Sequence, residues 1–277
     1  LSKMVETKTL DQRTKPATAS SAIALQRILN VMHAVILRDI RSRFFNNGLG
    51  ALIPPLMPIA HALILLLIYT LTSRTAIFGD DLFLFFATGL IPALTFSYIS
   101  RFMAASLLTN KNMLAFPAIH LLDIILARCA LELIGIVISV FVMFIILLSI
   151  GSDPYPRQPD QALLAMLSTA LLAIGVGIII SVISAIYPFF ARFYSLFVAI
   201  IYLTSGGPIY LYIFPNELIY YCTFNPVFHA VTWMRSAYYL GYPTQALDKL
   251  YLIGFGILCL CIGLLMERLL RKKLLSH

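Results

Sequence analysis

Between Arg43 and Arg74 the chain carries no formally charged residue, and residues 51–72 are almost wholly apolar. Long uncharged stretches recur at 133–152, 162–191 and 193–216. About 20 apolar residues in helical form cross the roughly 30 Å hydrocarbon core of a bilayer. Runs of this length point to a bundle of membrane-crossing helices. Composition agrees: 60% of residues are hydrophobic and 12% charged, against about 25% charged in soluble domains. A soluble enzyme, a disordered tail and a disulfide scaffold are thereby excluded.

The pattern predicts an all-α polytopic protein with six spans, at about 51–72, 82–108, 121–150, 162–187, 193–213 and 250–267. Residues 1–20 are polar and are expected to be a loose N-terminus. They do not read as a signal peptide, because no short apolar core follows the basic residues at the right distance. In 21–45, Leu25, Ile28, Leu29, Met32, Val35, Ile36 and Ile40 recur at helical spacing, with Arg27, Arg38, Asp39, Arg41 and Arg43 between them. That predicts an amphipathic helix in the membrane interface. Residues 46–277 form the membrane domain. Glycine and proline repeatedly interrupt the apolar segment 205–248, which predicts two short re-entrant or gate-like helices between the fifth and sixth spans.

A net charge of +8 resembles a nucleic-acid signal until it is mapped. Six spans put sixteen basic residues on the side of the termini and four (Arg74, Arg157, Arg235 and Lys249) on the other. By the positive-inside rule both termini are expected in the cytoplasm, and no nucleic-acid groove is expected. Cys129, Cys222, Cys259 and Cys261 lack CxxC or histidine spacing and are read as packing residues rather than metal ligands. His61 is read as a hydrogen-bonded packing residue. No G-x-x-x-x-G-K-[ST] is present, so nothing in the sequence cradles nucleotide phosphates. A membrane-embedded enzyme acting on glycan or lipid would need convergent acid–base residues on one face, and none is found. A secondary transporter is opposed by the lack of internal repeats and of a mid-span carboxylate.

Asp123, Arg128 and Glu132 form a charged cluster near the start of the third span, where charge is costly unless paired. Arg128 and Glu132 are four residues apart and share a helix face, which predicts a structural clamp rather than a proton relay.

The segments LRDIRSRFFNNGLGALIPPLMPIAHALI (37–64), FATGLIPALTF (86–96), LTNKNMLAFPAIHLLDIILARCALE (108–132) and FNPVFHAVTWMRSAYY (224–239) resemble type-2 ABC exporter permeases, and within them the capsular-polysaccharide branch. The resemblance covers about residues 25–273. It implies the permease of a glycan exporter in a bacterial inner membrane, working as a homodimer with two copies of a separate ATP-binding subunit. ATP and Mg would be bound by that partner and no cofactor by this chain; the cargo would be a lipid-linked, acidic glycan, with periplasmic export components as further partners. Another glycan, a lipid or a small molecule is the alternative cargo within the superfamily. It also implies that 110–120 contains the helix that couples to the ATPase, with Lys111, Asn112, Met113, Leu114 and Phe116 as contacts. Aromatic rings offer sugars apolar faces and hydroxyl tips. On that ground Tyr194, Phe197 and Tyr202 are expected to wall the cargo path, with Tyr210, Tyr212 and Tyr221 near an outer gate.

Overall fold

The computed structural model describes residues 26, 30–38, 53–116 and 119–276. The expected loose N-terminus and most of the 21–45 helix lie outside the described residues. Residues 30–38 are helical. Their apolar face, Val31, Met32, Val35 and Ile36, packs on the bundle's own core.

Among the described residues that follow, the main helices are α1 (Ile53–Leu71), α2 (Leu82–Ala104), α3 (Leu121–Ile150), α4 (Pro159–Ile186), α5 (Phe189–Thr204), α6 (Asn216–Cys222), α7 (Pro226–Tyr238) and α8 (Lys249–Ser276). Among the described residues all regular structure is helical. Among the described residues four helices, α2, α3, α4 and α8, are long and apolar enough to cross a membrane, while α1 and α5 are shorter and apolar.

Local signals set the ends. The Asp81 carboxylate accepts from the Leu84 amide at 3.1 Å and starts α2, and Asn225 accepts from the Val227 amide at 2.9 Å ahead of Pro226 to start α7. Gly151 ends α3 at φ 90°. Two expected spans end early. The segment 82–108 breaks at Ala104, and a separate helical turn, Ser106–Thr109, follows. The segment 193–213 instead forms a helix from Phe189 to Thr204. It stops there because Gly206 takes φ 80° and Pro208 lacks the amide that would continue the ladder.

Helix α2 is the axis of the bundle. Phe85, Phe86, Leu90, Leu94, Phe96, Ile99 and Met103 are buried on different sides of it, as expected of a helix apolar all round. It packs against α1, α3, α4, α5 and α7. Its partner α4 meets α8 along small residues: a Cβ at Gly175 would lie 2.7 Å from the Leu260 amide nitrogen. Such residues let helix backbones approach where lipid supplies no hydrophobic drive between helices. By contrast α3 leaves a long aliphatic face open, with Leu133, Ile134, Val137, Phe141 and Ile145 exposed. The short helix α7 is buried over nearly its whole length, from Val227 to Arg235.

Candidate functional site

At the end of α2 opposite Asp81, the turn Ser106–Thr109 leads into a 3-10 turn, Lys111–Ala115. Asn110 sits between them, 2% exposed. Its Oδ1 accepts from Arg38 Nη1 at 3.0 Å, and its Nδ2 donates to the Ser106 carbonyl at 2.9 Å. Ser106 Oγ meets Ser181 Oγ at 2.9 Å, and that hydroxyl accepts from the Leu107 amide at 3.2 Å. The 3-10 turn is therefore tied to the 30–38 helix and to α4. Of the five residues expected to contact an ATPase, Lys111, Asn112 and Phe116 are exposed, Leu114 is half-buried, and Met113 is an anchor in the core.

The charged cluster divides in two. Asp123 serves the start of α3, its Oδ2 accepting from the His120 amide at 2.9 Å. Arg128 and Glu132, 2% and 6% exposed, form an ion pair one turn further on, and the guanidinium carbon lies 5.1 Å from the Phe102 ring centre. The i,i+4 reading of this pair thus matches the geometry. A second such pair joins Glu267 to Arg271 on α8, with bonds of 3.0 and 3.1 Å. The spacing in MERLLR displays it, and the sequence reading passed over it.

The aromatic residues assigned to a cargo wall do not share one face. Tyr194 is buried against Ala104 and Val198, and Phe197 projects outward, 49% exposed. Tyr202 turns toward α1, its ring centre 5.7 Å from that of His61. The three- and five-residue spacings were too loose to hold them together. Tyr210 and Tyr212 do come together, at 5.7 Å, in a packed group with Phe78, Phe85, Tyr239 and Tyr242. Tyr221 stands apart on α6 and is 71% exposed.

Beneath that group lies a residue that sequence reasoning missed. Arg235 is 1% exposed, and among the described residues no carboxylate pairs with it. It donates to the Gly206 and Gly207 carbonyls at 2.9 and 3.2 Å. Its Cζ lies 4.6 Å from the Phe85 ring centre, and its Nε has no hydrogen-bond partner. The turn Ser205–Pro208 is held again by Tyr69 of α1, whose hydroxyl donates to the Pro208 carbonyl at 2.7 Å. Asn225 completes the region, donating to the Ile201 carbonyl and to Thr204 Oγ1 at 2.7 and 2.9 Å.

Residues 30–239 match the ABC-2 type transporter family, a span that contains the 3-10 turn, the ion pair and the Arg235 turn. The chain belongs to this family. It is 28% identical to the polysialic acid transport protein KpsM of Escherichia coli over 93% of this chain and 99% of that protein. It is 24% identical to the capsule polysaccharide export inner-membrane protein CtrC of Neisseria meningitidis serogroup B, covering 88% of this chain and 92% of the relative. With the corresponding protein BexB of Haemophilus influenzae it shares 21% identity over 91% and 94%. The chain is thus the membrane subunit type of an ABC-2 transporter.

Proposed function

We propose that this chain is the membrane-spanning permease of an ATP-driven exporter that carries a capsular polysaccharide outward across a bacterial inner membrane. The observation that carries the reading is the near end-to-end match to relatives named for that transport. Two copies enclose the path, since one chain offers only one wall, and two copies of a separate ATP-binding subunit drive it. ATP and Mg belong to that partner. The exposed Lys111, Asn112 and Phe116 supply its docking contacts, an apolar anchor with a polar rim, while Asn110 and Ser106 pass displacement to the 30–38 helix and to α4.

Six crossings are compatible with the helix lengths. At 1.5 Å per residue α1 and α5 reach about 28 and 24 Å, close to the hydrocarbon thickness. Both termini then face the cytoplasm. The short helices α6 and α7 form the outer gate, closed where Arg235 grips the Ser205–Pro208 turn. The cargo is a lipid-linked acidic glycan, handed to periplasmic components.

Complementation tests the function. A strain lacking this gene should regain surface polysaccharide with the wild-type chain, and polysaccharide should stay inside when the partner ATPase is inactive. Normal surface polysaccharide in the uncomplemented deletion strain would overturn the reading. Orientation is tested separately with single cysteines: Asp153→Cys should react with an impermeant maleimide from outside and Lys272→Cys should not.

A further inference from the structure

Helix α2 is enclosed on most sides, and along its second half one strip stays open. Ile91, Tyr98, Arg101 and Phe102 are half-buried there; the other three lie seven, three and four residues from Tyr98, spacings that share a helix face. Its chemistry differs from the open face of α3. Where the open face of α3 presents aliphatic side chains and one phenylalanine, with no polar group, as a lipid-facing surface would, this strip presents a tyrosine, a phenylalanine and a guanidinium. His61 of α1 and Tyr202 of α5 flank it: Tyr98 Oη lies 3.4 Å from His61 Nδ1, and the His61 ring also faces Tyr202.

The direction taken by Arg101 is informative. A cation three residues from the end of a spanning helix ordinarily snorkels toward the nearer interface. Arg101 turns the other way. Its Nε donates to the Ser97 carbonyl at 2.9 Å, and its Cζ lies 4.7 Å from the Tyr98 ring centre. The charge therefore sits beside the turn Ser97–Arg101, about 7 Å inside the end of α2 at Ala104, at 1.5 Å per residue. Among the described residues no carboxylate pairs with it. A cation held at that depth on an open, aromatic strip is tolerable where the strip lines a water-filled path and meets anions.

We infer that Arg101 is a specificity-determining contact of the cargo path, binding an oxyanion on the passing glycan while Tyr98, His61 and Tyr202 hold the adjoining sugar faces. The inference rests on the glycan-export reading. The oxyanion is either a sugar carboxylate or a phosphate at the lipid end, and both suit a guanidinium fork.

The test uses the purified full chain in nanodiscs and measures binding by equilibrium dialysis. Three probes are compared: an oligogalacturonate, a malto-oligosaccharide of equal length, and the same malto-oligosaccharide bearing a polyprenyl phosphate. Wild type should prefer an anionic probe to the neutral one. Arg101→Gln should bind that anionic probe about tenfold more weakly and leave the neutral one unchanged, while Arg101→Lys should keep part of the preference. Arg192→Gln, which removes an exposed cation elsewhere, should change nothing. A loss confined to oligogalacturonate assigns the sugar carboxylate, and one confined to the phosphate-bearing probe assigns the lipid end. Unchanged anionic binding in an Arg101→Gln protein of normal melting temperature overturns the inference alone. If that variant fails to fold, Arg101→Lys decides: full wild-type affinity and selectivity at every ionic strength overturns the inference, and a weakened anionic preference supports it. If wild type binds none of the probes, the glycan-export reading falls with it.

Discussion

The grip of Arg235 on its turn can be tested from the opposite helix. Gly89 of α2 has no side chain where the guanidinium passes. A Cβ there would lie 2.2 Å from Arg235 Nη2 and 2.9 Å from the Gly207 carbonyl oxygen. Ordinary contact distances between heavy atoms are about 3.5 Å or more, so Gly89→Ala forces the guanidinium back by about 1 Å. The bond of 2.9 Å to the Gly206 carbonyl does not survive such a shift. One hydrogen bond from a charged group contributes about 1.5–3 kcal/mol, and overpacking adds about 1–3 kcal/mol. Gly89→Ala should therefore cost about 3–5 kcal/mol, on the order of a 10 °C drop in melting temperature by soluble-domain scaling. Fluorescence-detected size-exclusion chromatography after heating measures it in detergent. Combining the change with Arg235→Met, which removes the clashing group, should cost at least about 1 kcal/mol less than the sum of the single changes. A Gly89→Ala protein that melts with wild type, or a strictly additive double variant, would refute the reasoning.

Further predictions follow from other contacts. Arg128→Ala or Glu132→Ala should each lower folded yield, at a cost of about 3–5 kcal/mol for a buried charge left uncompensated, and the charge-swapped pair should recover part of it; normal yields in both singles would remove the clamp role. Phe116→Ala and Lys111→Glu should leave the chain folded and uncouple ATP hydrolysis from export in a reconstituted transporter, whereas Met113→Ala should lower yield because that side chain lies in the core. His229 donates from Nε2 to the Thr223 carbonyl at 2.8 Å, and its Nδ1 accepts from the Asp248 amide at 3.0 Å, an arrangement open only to the neutral ring. Burial holds its pKa below the usual 6.5, only partly countered by Thr223 and Asp248. The stability tied to the neutral ring is present above about pH 6.5 and is lost as pH falls below it. Melting curves from pH 7.5 to 5 should therefore drop more steeply for wild type than for His229→Gln, and parallel curves would contradict this.

Helical class and the rough positions of the long apolar helices were readable because the signal is a simple one, twenty uncharged residues in a row. The Arg128–Glu132 pair was readable because i,i+4 spacing fixes its geometry on a single helix. The end of α5 was misplaced for an equally physical reason. Hydropathy runs smoothly through 193–213, and only the backbone demands of Gly206 and Pro208 cut the helix. Those demands are visible as SGGP, inside a run whose hydropathy does not fall.

The direction each aromatic ring takes was not legible, for a different reason. Composition told that rings crowd 187–239, but which side of α5 each ring takes depends on where α2 and α1 sit against it. Tyr194 and Phe197, three residues apart, fall on opposite sides of that boundary, one buried on Ala104 and the other exposed. Arg235 shows the deepest limit. A search for its partner in the sequence looks for a carboxylate, and the groups that hold it are backbone carbonyls 29 and 28 residues upstream and the face of Phe85. Carbonyls belong to every residue, so no side-chain pattern displays them. What the sequence could have offered is the pair of glycines, Gly89 and Gly207, whose missing side chains make the space. A Cβ at Gly207 would lie 2.7 Å from that of Ala93 and 2.9 Å from the Gly89 carbonyl. The turn, the guanidinium and α2 therefore close on one another without room for a single added carbon. That is why Arg235 can be buried without a counter-ion, and why the region should respond to Gly89→Ala as one unit.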